Sequence, residues 1–136
     1  MDVVIDTNVF ISGLLKPYSI TGEIIDMIFS GQITPIFDDR ILEEYELVML
    51  RSKFGFPVDI INEFLFSLQT IGKIMIPLHT GVKLPDENDR CFYECALCSE
   101  TKILITGNKK RFPKKICFEI RLFSPREFVE YFFVEE

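Results

Sequence analysis

Several features are scarce in this sequence, and each shortage removes a class of protein. No apolar run approaches the roughly 20 residues that cross a bilayer, and the stretch Ile71–Leu78 is broken by Gly72 and Lys73. The opening Met1-Asp2-Val3-Val4 carries no basic segment, so no signal peptide is expected. A lone histidine, His79, offers no zinc-ligand spacing. There is no glycine-rich phosphate loop, and no repeat, low-complexity segment or linker. Acids outnumber bases, 21 against 15, for a net charge of −6, which argues against a protein that coats nucleic acid by bulk charge. The expectation is a cytoplasmic protein without membrane contact.

The 136 residues are 48% hydrophobic, too apolar for a disordered chain, and their number suits a single domain over 1–136. The bases are bunched: Lys102, Lys109, Lys110, Arg111, Lys114, Lys115 and Arg121 share a segment with one acid, Glu119. A local basic patch on an acidic protein can still contact phosphates. Cys91, Cys95 and Cys98 fall on one face of a predicted helix. With Cys117 they are expected to be reduced thiols that pack as small apolar groups.

The β-branched run Met1–Ile5 predicts a buried strand. Thr7 and Asn8 are expected to turn the chain, and helical spacing appears at Ile20–Phe29. A strand follows at Ile33–Phe37. Asp38 and Asp39 then cap a helix over 40–52, and Pro57 opens another that ends near Gly72. Further strands are expected at Lys73–Pro77, Ile103–Thr106 and Cys117–Phe123, with a helix over 89–100 and a last one after Ser124. This order predicts a three-layer α/β domain with a largely parallel sheet, whose ligands lie at the carboxyl ends of the strands.

Acids converge on that edge. Asp6 follows the first strand directly. On the helix over 40–52, Glu44 and Glu46 flank the apolar face of Ile41, Tyr45 and Val48, and periodicity does not choose between them. Asp89 shares an arc with Phe92, Tyr93 and Ala96, so it is a carboxylate on an apolar face, which requires a cation or strong hydrogen bonds. Asp86 lies three residues earlier. Asn108, after Gly107, ends the strand beside Asp6. Converging carboxylates repel unless cations neutralise them, and hard divalent ions suit oxygen donors.

These motifs resemble the PIN-domain ribonucleases. Val3-Val4-Ile5-Asp6-Thr7-Asn8 is similar to the family's N-terminal signature, and Glu43-Glu44-Tyr45 to its second motif, which matches Glu44 rather than Glu46. Asp86-Glu87-Asn88-Asp89 is similar to the third, and Ile105-Thr106-Gly107-Asn108-Lys109-Lys110-Arg111-Phe112-Pro113 to the fourth. The resemblance implies a PIN-like fold and a metal-dependent endoribonuclease. Asp6, Glu44 and Asp89 would hold Mg²⁺ or Mn²⁺, with Asp86 in support and Asn108 assisting catalysis. Asn8, Thr106, Lys109, Lys110 and Arg111 would meet the RNA. In-line attack of an activated water would leave 5′ phosphates.

The subgroup it most resembles contains toxins of prokaryotic toxin–antitoxin pairs, which implies an antitoxin partner and a homodimer. The apolar run Phe128–Val134 is a candidate interface. Many members carry aspartate where this chain has Asn108, so its site holds one charge fewer. A haloacid-dehalogenase phosphatase would need a second aspartate where Asn8 stands. The remaining alternative is a PIN-like domain that binds RNA or protein without cutting.

Overall fold

The computed structural model describes residues 1–135. Its elements are β1 (Asp2–Ile5), α1 (Thr7–Leu15), α2 (Ile20–Phe29), β2 (Thr34–Phe37), α3 (Asp39–Met49), α4 (Val58–Ile71), β3 (Lys73–Ile74), α5 (Arg90–Cys98), β4 (Ile103–Ile105), β5 (Arg121–Phe123) and α6 (Pro125–Glu135). Short 3₁₀ turns lie at Ser52–Phe54, Glu87–Asp89 and Lys109–Arg111.

All strands pair in parallel, in the order β3-β2-β1-β4-β5. A parallel sheet covered on both faces requires strands apolar on both sides, and Val3, Val4, Ile5, Ile103, Leu104 and Ile105 are all buried. Helices cover it to give the expected three-layer α/β arrangement, with α5 against β1, β2 and β4, and α1, α2 and α6 packed together. The strand order reverses direction at β1, which has β2 on one side and β4 on the other. That switch point opens a crevice at the carboxyl edge.

The sequence reading missed α1. Instead of turning at Thr7 and Asn8, the chain enters a helix at once. Thr7, Val9, Phe10, Ile11 and Gly13 are all buried, and the polar side amounts to Asn8 and Ser12, one turn apart, too little to betray helical period. Gly13 is there because α2 comes too close for a side chain: a Cβ would lie 2.8 Å from the Thr21 carbonyl oxygen. Two strands are shorter than expected. Only Lys73–Ile74 of the run to Pro77 pairs with β2, and only Arg121–Phe123 of Cys117–Phe123 pairs with β4. The residues from Pro113 to Ile120 form turns instead, as in the bond from the Cys117 N–H to the Pro113 carbonyl (2.8 Å).

All four cysteines are free, and burial pushes the Cys91 thiol up to about 12. Cys98 is exposed, so the three helix cysteines do not share a buried face. Among the described residues no helix is long and apolar enough to cross a membrane.

Candidate active site

Asp6 stands one residue beyond β1, held by a bond from its N–H to the Ile105 carbonyl at the end of β4 (2.9 Å). It occupies the N-cap position of α1, yet its carboxylate caps nothing. An aspartate in that position ordinarily spends an oxygen on the helix N–H groups, as Asp38 does with Ile41 at the start of α3 (3.1 Å). Asp6 is 1% exposed. Its Oδ2 accepts from the Thr106 hydroxyl (2.7 Å) and from Arg111 Nη1 (3.2 Å). Its Oδ1 is buried without a partner, as is the hydroxyl of Thr7.

Asp89 closes the 3₁₀ turn before α5 and is also 1% exposed. Arg111 grips it with two nitrogens, Nε donating to Oδ2 (2.8 Å) and Nη2 to Oδ1. This fork is the geometry that suits guanidinium to carboxylate. Glu44, half-buried on α3, faces the same cleft. The next residue, Tyr45, donates its buried hydroxyl to the Ile5 carbonyl (2.5 Å), which ties α3 to the strand end that carries Asp6. Asp86 is exposed at the rim, with Oδ1 accepting from the Asn88 N–H (2.9 Å).

These four acids line one cleft of about 180 Å³, joined by Thr7, Asn8, Asn88, Arg51 and Arg111. Burial drives the Asp6 carboxyl above the usual range; Arg111 and Thr106 oppose the rise, and Asp89 adds to it. Glu44 is raised too, first by burial, then with Arg51 opposing and with Asp89 and Asp6 reinforcing.

Other expected residues fall elsewhere. Asn108 is exposed and does not wall the cleft; its backbone N–H donates to the Thr106 hydroxyl (3.1 Å). Thr106 is fully buried with its hydroxyl spent on Asp6, so it positions that carboxylate and does not reach into the cleft. Lys109 pairs with Glu127 (2.8 Å), away from the acids. Lys110 is exposed on the same turn. Arg111, expected to meet RNA, is turned inward onto two acids. Glu46 is exposed and lines a separate groove between α3 and α4. Arg51 was missed. It lies beyond the end of α3, in extended backbone before the 3₁₀ turn at Ser52–Phe54, so helical period carried no signal for it.

The donor set suits a hard divalent ion: every candidate ligand is oxygen, and two buried oxygens, Asp6 Oδ1 and the Thr7 hydroxyl, are unpartnered. Arg111 sits between Asp6 and Asp89, and among the described residues no three acidic, histidine or cysteine side chains are grouped to hold an ion as they stand.

A profile of the family described as PIN domain matches residues 2–110. The uncharacterized protein MJ1680 of Methanocaldococcus jannaschii is 31% identical over 141 residues, a span that covers 96% of this chain and 90% of that protein. No solved structure matches.

Proposed function

This chain belongs to the PIN-domain family, and from that premise we propose that it is a metal-dependent endoribonuclease, the toxin of a toxin–antitoxin pair. PIN domains are generally nucleases and generally use divalent metals. The observation that carries the proposal is Asp6: a buried carboxylate at the N-cap position that caps no helix, keeps one oxygen unpartnered and shares its cleft with Glu44, Asp86 and Asp89. A structural aspartate with that burial would have both oxygens satisfied.

Asp6, Glu44 and Asp89 would hold Mg²⁺ or Mn²⁺, with Asp86 contributing from the rim. When bound, the ion supplies a water of lowered pKa and offsets charge that develops on the phosphate oxygens. The chain does the positioning. The Thr106 hydroxyl fixes the direction of Asp6, and the Tyr45 phenol fixes α3 against the end of β1. Arg51 and Lys110, both exposed, provide cations for backbone phosphates, and the exposed amide of Asn8 provides a donor at the cleft wall. In-line displacement expels the 3′ oxygen and leaves a 5′ phosphate on the product.

The partners follow from the same proposal. Phe133 and Val134 are 55% and 81% exposed at the end of α6, apolar surface that supports a homodimer or antitoxin interface. The site of action is the cytoplasm. The proposal is tested with a labelled structured RNA, incubated with Mg²⁺, Mn²⁺ or EDTA and either the unaltered chain or Asp6→Asn. Metal-dependent cleavage that Asp6→Asn abolishes supports it. RNA that is retained but left intact in both metals supports the second reading, a binding domain, which the position of Arg111 across Asp6 and Asp89 favours.

A further inference from the structure

Arg111 spends three nitrogens on the acid pair: Nε and Nη2 on the two oxygens of Asp89, and Nη1 on Asp6 Oδ2. Of the four carboxylate oxygens in that pair, Asp6 Oδ1 alone has no partner. An ion that draws on Asp6 and Asp89 together must take an oxygen that the guanidinium now holds. Two cations in one small buried space repel each other strongly.

We propose that Arg111 is a built-in counter-ion that competes with the divalent ion, so that guanidinium and metal are alternative occupants of the Asp6–Asp89 pair. The inference rests on the metal-dependent function above and adds a step to it: metal entry releases Arg111, which then becomes free to meet an RNA phosphate. The structure provides the way out. The Arg111 side chain is 25% exposed and springs from a 3₁₀ turn at the surface, beside exposed Lys110. Asp6 keeps its bond from Thr106 when Arg111 leaves, so the carboxylate stays aimed. An arginine in a protein stays protonated, so it is a competing cation that must release it. Metal, Arg111 and RNA are then linked. Metal frees the arginine for phosphate, and bound RNA, by holding the arginine outside, tightens the metal, because coupling between two binding events is reciprocal.

The test needs no cleavage. Mn²⁺ affinity is measured by calorimetry, without RNA, for the unaltered chain and for Arg111→Gln. The glutamine variant is expected to bind Mn²⁺ at least about fivefold tighter, the lower end of typical coupling between sites. In parallel, the Arg111 Nε–H resonance of the unaltered chain is followed by NMR during a Mg²⁺ titration. It should leave its Asp89-bonded position with the same midpoint as metal binding. Equal or weaker Mn²⁺ binding by Arg111→Gln, or a resonance unmoved at saturating Mg²⁺, overturns the displacement while leaving metal-dependent function intact. Absence of metal binding by both proteins overturns the metal-dependent function itself and this inference with it. Where Arg111→Gln does not fold, the resonance in the unaltered chain decides the question.

Discussion

Two clusters in this molecule have the same parts. Asp6 and Asp89, each 1% exposed, share Arg111; Asp38 and Glu94, each fully buried, share Arg40. In the second cluster every carboxylate oxygen is satisfied. Asp38 Oδ1 takes the Ile41 N–H and Oδ2 takes Arg40; Glu94 Oε1 takes Arg40 and Oε2 takes the Thr80 hydroxyl and N–H. Arg40 also reaches the Leu78 carbonyl (3.3 Å), so the group fastens the 75–89 loop to α3 and α5. Burial works against the ionised form of Glu94, but the Thr80 and Arg40 hydrogen bonds outweigh it and the pKa falls. In the first cluster an oxygen is left over and the Asp6 pKa rises. Composition and burial do not separate a brace from a candidate reactive centre; the completeness of hydrogen bonding does.

Exchanging damage between the clusters breaks the comparison most sharply. Asp6→Asn is expected to lower RNA cleavage by at least about 100-fold, measured on labelled RNA with Mn²⁺. The same variant should melt no lower than the unaltered chain, because an ionised Asp6 with a raised pKa costs the folded state at neutral pH. Glu94→Ala should do the reverse in part, losing about 3 kcal/mol in a urea titration by leaving Arg40 and Thr80 without their acceptor.

Acid sharpens the contrast, since the signs differ. The Glu94 pKa is lowered on folding, so its contribution is present above the ordinary value of 4.5 and drains away as pH falls through that value and below. The Asp6 pKa is raised, so its penalty is largest above the raised value and is relieved as pH falls through that value toward the ordinary 3.8. The stability gaps of Glu94→Ala and Asp6→Asn from the unaltered chain, opposite in sign at neutral pH, should both shrink on acidification, as melts across the carboxylate range would record. A smaller effect belongs to Arg51→Ala. Its guanidinium is exposed at the cleft wall, so RNA should bind about tenfold more weakly, with a salt slope smaller by roughly one, while the melting temperature holds. The smallest is Tyr45→Phe, about 1 kcal/mol for one hydrogen bond.

What the sequence made legible was whatever is written locally. The β-branched run ending at Asp6 placed a carboxylate at the edge of a parallel sheet, and the arc of Asp89 with Phe92 and Ala96 announced its burial. The helix α1 was illegible because its polar side is only Asn8 and Ser12, a single turn. The basic run around Arg111 raises the expectation of an RNA contact, and a run of like charges does not report that this side chain turns inward onto two acids. Its partner Asp89 lies 22 positions away, and Arg40 and Glu94 are 54 apart. No periodicity spans such distances; only the folded sheet brings those groups together.

The phenol of Tyr45 has a consequence of another kind. It joins the residue after Glu44 to the residue before Asp6, so one bond gauges the gap between two acids on separate elements. Burial pushes its pKa well above the ordinary value, and the gauge therefore does not loosen in alkali. Spacing and chemistry are thereby heritable apart: substitution at position 45 can widen or narrow the gap while both carboxylates persist, and either carboxylate can be lost while the gap persists.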